Sequence, residues 1–337
     1  MLTVKELNAQ GKRVIVRVDF NVPLKEGVIR DDNRIQAALP TIKELLSKGA
    51  RVILLSHLGK VKHKEAPEVV EAQKKKNNLA PVAVRLAELL GQPVTFVNAT
   101  RGEEVEAAAA ALKDGEVMLI QNTRYEKGEE KNDPELGAYW ASLGDAFVMD
   151  AFGSAHRAHA STHGIPSTLK AAGKEVALGY LVEKEVSNLT RCVNVANEDR
   201  PYIAILGGLK VSDKIKVIES LLTKCDKILI GGAMAFTFLK ALGHTTGTSP
   251  VEDDQLEYAR NCYTKANGRI VLPIDSIVGD AFDPAVRTTV QILEDTNVPG
   301  EFQGLDIGPK TRELFASEIS KAKLLLTDTF MQKQPKK

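Results

Sequence analysis

The residues able to do chemistry in this sequence stand just past short apolar runs. Ligands of a parallel α/β sheet bind beyond the carboxyl ends of its strands, so those positions are the ones to read. They form a coherent set: Asp19-Phe20-Asn21 after residues 13–18, Ser56-His57-Leu58-Gly59-Lys60 after 51–55, Gln121-Asn122-Thr123-Arg124 after 117–120, and Asp150 through His156 and Arg157 after 146–149. Asp31-Asp32-Asn33-Arg34 lies in the first connection. Arg34, His57, Lys60, Arg124 and Arg157 would give one crevice several cations, which suits a ligand bearing both a phosphate and a carboxylate. Asp19 and Asn21 would accept from and donate to a hydroxyl of that ligand. Any one of the arginines taken alone reads as a surface salt bridge. Five strand-end cations in one crevice call for an anion.

A second constellation follows residues 202–206. Gly207-Gly208-Leu209-Lys210-Val211-Ser212-Asp213-Lys214 opens a helix, where glycines allow close approach to phosphate oxygens and a helix N-terminus supplies N–H donors. Lys210 and Lys214 share one face at i, i+4. The alternative is a tight strand-to-helix turn with exposed lysines, and the spacing is not that of a Walker loop. Gly231-Gly232-Ala233-Met234 repeats the design as a small-residue floor for a planar base, or as plain strand–helix packing.

The elements that must carry these residues are legible in the alternation of short β-rich runs with stretches of helical period, the pattern of parallel sheets with helices on both faces. Residues 13–18, 51–55, 94–97, 117–120 and 146–149 read as buried strands. Leu39, Ile42, Leu45 and Leu46 recur at helical spacing, as do Leu79, Val82, Leu86, Leu89 and Leu90. Residues 178–195 are amphipathic without strand character and read as a helix linking two domains, giving 1–175, a linking helix and hinge at 176–199, and 200–337. The second half alternates again, with helices at 211–222, 234–242, 253–266 and 309–321 and strands at 202–206, 227–230, 269–272 and 322–326. The last strand is followed by Thr327-Asp328-Thr329-Phe330 and a basic stretch at 332–337, so the second sheet is expected to be incomplete at its C-terminal end. Residues 60–78 hold six lysines, one histidine and three glutamates and read as a solvated surface loop, with phosphate or nucleic-acid attraction as the alternative.

Composition narrows the function classes. With 337 residues, 43% of them hydrophobic, the chain can bury a core in each of two domains. Lys plus Arg is 45 against 44 for Asp plus Glu, which gives no overall field for nucleic acid or membrane. No apolar run approaches the ~20 residues that span a bilayer, and the first residues do not resemble a signal peptide, so the expected compartment is the cytoplasm. Cys192, Cys225 and Cys262 lie far apart without metal-ligand spacing and suit reduced core thiols; no metal site is expected.

Several segments resemble the signatures of the phosphoglycerate kinase family, in the family's order: residues 16–24 around Asp19 and Asn21, 32–41, Ser56-His57-Leu58-Gly59, 150–161, 204–215 and 304–309. The resemblance covers residues 1 to about 323. It implies two Rossmann-like, doubly wound α/β domains with parallel sheets, joined by a helix, and transfer of a phosphoryl group between ATP and the carboxylate of 3-phosphoglycerate with magnesium. It places Asp19, Asn21, Arg34, His57, Leu58, Gly59, Lys60, Arg124 and Arg157, with His156 beside them, around 3-phosphoglycerate or 1,3-bisphosphoglycerate. Arg34 and Lys210 are the catalytic candidates, Lys210 meeting the phosphoryl group in transit. Gly208, Lys210 and Lys214 are assigned to nucleotide phosphates, and Gly232, Ala233 and Gly308 to base and ribose. A monomer is the family expectation, with an open sheet edge as the route to an edge-to-edge dimer.

Departures from the pattern qualify the activity. Lys60 stands where arginine is usual, Met149 where asparagine is, Leu209 where a small residue is, and Ala233 where a third glycine is. Family members also continue through an Asn-Gly-Pro turn, a ribose-binding glutamate and a Gly-Gly-Gly-Asp loop whose aspartate is linked to magnesium, and these are not among the 337 residues. The expectations are therefore a glycolytic phosphoglycerate kinase with weak ATP/ADP binding and reduced or lost turnover, a non-catalytic binding or regulatory protein that keeps the acid-phosphate crevice, or a shortened copy of an ordinary kinase.

Overall fold

The computed structural model describes residues 1–281 and 290–328, apart from the side chain of Asp328. The chain divides into two compact units, Met1–Asn188 and Leu189–Lys337. No helix among the described residues is long and apolar enough to cross a membrane. All three cysteines are free thiols.

The first unit is built on β1 (Arg13–Val18), a small hairpin of β2 (Leu24–Lys25) and β3 (Val28–Ile29), then β4 (Arg51–Leu55), β5 (Val94–Val97), β6 (Val117–Ile120), β7 (Ala146–Asp150) and β8 (Glu175–Leu178). Six of these form one parallel sheet in the order β5-β6-β4-β1-β7-β8. Side chains alternate across a strand, and both faces here are apolar. Val14, Val16, Val52, Leu54, Val117, Leu119 and Val148 pack on one side with α1 (Asn33–Ser47) and, beyond α2 (Pro67–Lys76), α3 (Ala80–Leu90). Ile15, Ile53, Met118, Ile120 and Phe147 pack on the other with α4 (Glu103–Ala111) and α5 (Pro134–Ser142). The short α6 (Phe152–Ala155) and α7 (Ile165–Ala171) complete the layer, and α8 (Tyr180–Val193) carries the chain across the division between the units.

The second unit contains β9 (Tyr202–Leu206), α9 (Ile215–Leu222), β10 (Lys227–Ile230), α10 (Met234–Ala241), α11 (Leu256–Ala266) and β11 (Ile270–Val271). β12 (Ser276–Gly279), β13 (Val290–Leu293), β14 (Gln303–Ile307), α12 (Pro309–Lys321) and β15 (Leu324–Asp328) follow. Its parallel sheet runs β11-β10-β9-β15, with β15 paired to β9 alone among the described residues. Ala204, Leu206, Ile228 and Ile230 meet α9, α10 and α11 on one face. Ile203, Ile205 and Leu229 meet Leu314, Phe315 and Ile319 of α12 on the other.

Three expectations change. Residues 60–78 are not a loop throughout: they contain α2, which buries no side chain. It forms because Pro67 opens it, Glu68 sits in its first turn and Lys74, Lys75 and Lys76 in its last, each complementing the helix dipole. The segment 176–199, expected as linking helix and hinge, begins within β8, an edge strand that buries Ala177 alone and therefore shows no alternation. An antiparallel sheet, β13-β12-β14, follows β11 where no strand is expected. The Thr329-Phe330 pair and residues 332–337 lie outside the described residues.

The start of α8 is held by a buried acid. Asp150, the last residue of β7, accepts from the Leu181 amide through Oδ1 at 3.0 Å, and the Tyr180 amide donates to Thr41 Oγ1 at 2.9 Å. A Cβ on Gly179 would lie 2.3 Å from Asp150 Oδ1, so glycine is required there. Burial pushes the Asp150 carboxyl up to about 6, against the bonds from Thr41, Leu181 and Val182 that favour its ionised form. A carboxyl raised in the folded state stabilises fully at pH below its ordinary value and loses that contribution as pH rises through about 6. Asp150→Asn should remove a stability change of up to ~3 kcal/mol between pH ~4 and ~7, measured by urea unfolding at a series of pH values. Parallel pH profiles for parent and variant would exclude this.

Candidate functional site

Strand order makes the crevice of the first unit. Because β6, β4, β1 and β7 are consecutive neighbours, the residues past their carboxyl ends stand in one row. At the centre is Arg17, in β1 itself and 1% exposed. Its Nε donates to Ser161 Oγ at 2.8 Å, its Nη1 to the Val18 carbonyl, and its Nη2 meets His57 Nδ1 at 3.0 Å. A guanidinium can only donate, so Nδ1 accepts and the neutral imidazole carries its proton on Nε2. Burial, reinforced by Arg17, Arg124, Arg157 and Arg34, drives the His57 pKa down to about 2. Of the four guanidinium groups, Arg17 is the one in direct contact with the ring.

The remaining candidates divide into held and exposed groups. Arg124 is buried; its Nη1 donates to the Gly59 carbonyl, its Nη2 lies 3.3 Å from Glu130, and its Nε has no partner among the described residues. Burial, with Arg157 adding to it, lowers the Arg124 pKa against the pull of Glu130. Asn21 Oδ1 accepts from the Gly59 amide at 2.8 Å. Arg34 pairs with Asp19 through Nη1 and Oδ2. Arg157 and His156 are exposed, with Arg157 Nε 3.4 Å from His156 Nε2, and Lys60 is exposed. Leu58 and Gly59 contribute backbone. Gly59 has φ +59°, and a Cβ there would lie 2.3 Å from Asn77 Oδ1.

Two residues that matter have no role assigned from the sequence. Arg17 stands in a run of valines and reads as strand, although a charged residue between two buried positions is itself a signal. Asn122 is wholly buried and holds the turn together: Oδ1 accepts from the Leu58 and Arg124 amides at 3.1 Å each, while Nδ2 donates to the carbonyls of Leu58 at 2.7 Å and Asn77 at 3.0 Å.

In the second unit a cavity of about 500 Å³ is lined by Leu209, Gly232, Ala233, Phe236, Pro250 and residues 303–307, among others. Its walls are apolar, with Ser276, Gln303 and Asp306 as polar points. The glycine turns touch: Gly232, at φ +68°, would place a Cβ 3.1 Å from the Gly208 amide nitrogen. Lys214 is buried, with its Cε 3.9 Å from the position of a Cβ on Gly208. Lys210 is exposed. Gly308 packs on the Asp275 carboxylate, which accepts from the amides of Lys310 at 2.8 Å and Thr311 at 2.7 Å, while the neighbouring Ile307 lines the cavity. No group of three or more His, Cys, Asp or Glu residues is placed to hold a metal among the described residues.

The family model of phosphoglycerate kinase matches residues 4–331. The chain belongs to the phosphoglycerate kinase family. The phosphoglycerate kinase of Lactobacillus delbrueckii subsp. lactis is 52% identical over 332 residues, covering 96% of this chain and 79% of that protein. That of Lactococcus lactis subsp. cremoris is 53% identical over 330 residues, with the same coverage. Among solved structures, phosphoglycerate kinase from Coxiella burnetii superposes with a TM-score of 0.81 at 37% identity, over 97% of this chain and 79% of that one. The enzyme from Pyrococcus horikoshii gives 0.75 at 29% identity, over 97% and 80%.

Truncating Asn122 leaves two amides and two carbonyls of the turn without partners. Asn122→Ala should destabilise this phosphoglycerate kinase family member by about 2–4 kcal/mol in urea unfolding. A loss within about 0.5 kcal/mol would mean that the turn holds without it.

Proposed function

We propose that the chain transfers a phosphoryl group between ATP and the carboxylate of 3-phosphoglycerate, the glycolytic reaction of its family. The observation that carries this reading is the row of groups past the strand ends: His57 held neutral by Arg17, Arg124 tied to the Gly59 carbonyl, Asn21 on the Gly59 amide and Arg34 on Asp19, with the exposed Arg157 after α6. Arg34, Arg124 and Arg157 neutralise the phosphate and carboxylate, His57 donates through Nε2, and Asp19 and Asn21 hold the hydroxyl. A carboxylate nucleophile has no proton to remove, so neutralisation and alignment supply the catalysis without a general base.

The second unit suits the nucleotide. Gly232 leaves room where a Cβ would crowd the Gly208 backbone, Ala233 and Phe236 lie along an apolar cavity that suits a base, and Lys214, close to Gly208, suits the phosphates. Lys210 is the group for the phosphoryl in transit. ATP supplies that phosphoryl group, and magnesium is taken as the counter-ion of its phosphates. Leu209, 54% exposed, projects a large side chain along the cavity wall, which supports nucleotide binding weaker than acid-phosphate binding and a reduced turnover. Retention without catalysis gains nothing from the geometry, because Lys210 and Lys214 are both present.

Titration calorimetry with 3-phosphoglycerate should show binding that Arg34→Ala and Arg157→Ala each weaken by about 1.5–3 kcal/mol, roughly ten- to a hundredfold. Lys210→Ala should abolish coupled ADP formation without altering that binding, and Leu209→Ala should tighten ATP. No heat with the parent, or equal binding by both arginine variants, defeats the reading.

A further inference from the structure

Glu129 is wholly buried, although no ligand could reach it and no helix needs it as a cap. It lies in a short turn after β6, residues 129–131, and both of its carboxylate oxygens are used by one residue. Oε2 accepts from the Ser161 amide at 2.9 Å, and Oε1 from the Ser161 hydroxyl at 2.5 Å. The single hydroxyl proton of Ser161 is thereby committed to Glu129. Its oxygen is left to accept, and Arg17 Nε donates to it at 2.8 Å. Arg17 in turn donates through Nη2 toward His57 Nδ1 at 3.0 Å.

Every direction in this chain is forced by chemistry. A carboxylate accepts only, a guanidinium donates only, and a hydroxyl has one proton to give. The sequence Glu129, Ser161, Arg17, His57 therefore has one polarity and ends with the His57 proton on Nε2. We infer that Glu129 and Ser161 are positioning residues that fix His57 as a neutral Nε2–H donor toward the bound acid phosphate. This rests on the proposed function for the identity of the ligand, and on the geometry alone for the tautomer. Its value to the site is that an imidazole held in this form binds an anionic oxygen identically across physiological pH, whereas an ordinary histidine would change charge there. The groups acting on the ring are Arg17 of β1, Arg34 of α1, Arg124 after β6 and Arg157 after α6, all opposing its protonation, with burial in the same direction.

A purely structural role for Glu129 and Ser161 would cost stability and nothing else. The distinguishing measurement is the ¹⁵N spectrum of the histidine rings in the full chain without ligand, with His57 assigned by His57→Gln. The parent should show His57 as the Nε2–H tautomer, without titration from pH 5 to 8. Ser161→Ala should produce a tautomer mixture whose ring titrates nearer the ordinary range. Ser161→Thr, which keeps the hydroxyl, should restore the parent spectrum. With 3-phosphoglycerate, Ser161→Ala should lose roughly tenfold in affinity at pH 8, and part of that loss should be recovered as pH falls and the freed imidazole becomes charged. Glu129→Gln should shift the same way if it folds. A Ser161→Ala protein that melts lower yet keeps a single, non-titrating Nε2–H tautomer overturns the inference. Failure of the parent to bind 3-phosphoglycerate would instead strike the proposed function, because the tautomer is read without ligand.

Discussion

A guanidinium inside the central strand of a six-stranded sheet is the constraint on which the first unit depends. Arg17 is 1% exposed between buried valines, where an uncompensated charge would cost several kcal/mol or more. Its compensation comes from widely separated parts of the chain: the Val18 carbonyl beside it, His57 past β4, Ser161 in the turn before α7, and Glu129 behind Ser161 past β6. A slip of any of these segments would strand a buried charge. The network therefore gives the loops a register that apolar packing alone would not, since valines and isoleucines tolerate exchange with one another far better than a buried ion tolerates a missing partner.

The two units reach a shaped site by opposite means. In the first, long side chains fill the crevice, and their mutual repulsion is what makes an anion welcome. In the second, the shape comes from side chains that are absent. Gly208 and Gly232 meet backbone to backbone, Gly304 lies so close to the Phe236 ring that a Cβ would fall 1.9 Å from it, and Gly308 accommodates the Asp275 carboxylate. Burial works against the ionised form of Asp275, and the bonds from Thr311 and the Lys310 amide more than offset it, so its pKa is lowered and it stays charged at the start of α12. A crevice made of charges adapts to its ligand through flexible arms; a cavity made of glycine contacts is fixed by the backbone.

The sequence made legible what depends on local period and position. The strands of both parallel sheets other than β8 follow from apolar runs, and Asp19, Asn21, His57, Arg124 and Arg157 follow from standing just past them. β8 and β13 escape because edge or solvated strands bury too little to alternate: β13 buries no side chain. α2 escapes because it is polar all round, and only its charge order marks it as helix. Glu129 and Ser161 escape for a different reason. They are 32 residues apart, and Ser161 is 144 from Arg17, so no spacing in the chain reveals that one hydroxyl joins the carboxylate to the guanidinium.

The arginines of the crevice differ in what a ligand must displace. Arg17 is balanced from behind by Glu129 and has a bond from each of its three nitrogens, so its charge polarises the site without moving. Arg124 has one edge tied to the Gly59 carbonyl and the other near Glu130, leaving Nε as a donor with no partner among the described residues. Arg34 is half exposed and engaged with Asp19, and ion pairs at such exposure are worth about 1 kcal/mol or less, so an arriving phosphate can take the arm from the carboxylate at small cost. Arg157 has no carboxylate partner among the described residues and gives up least. Affinity for an anion should thus come mainly from the exposed arms, and orientation from the buried pair of Arg17 and His57, whose geometry is already complete before any ligand binds.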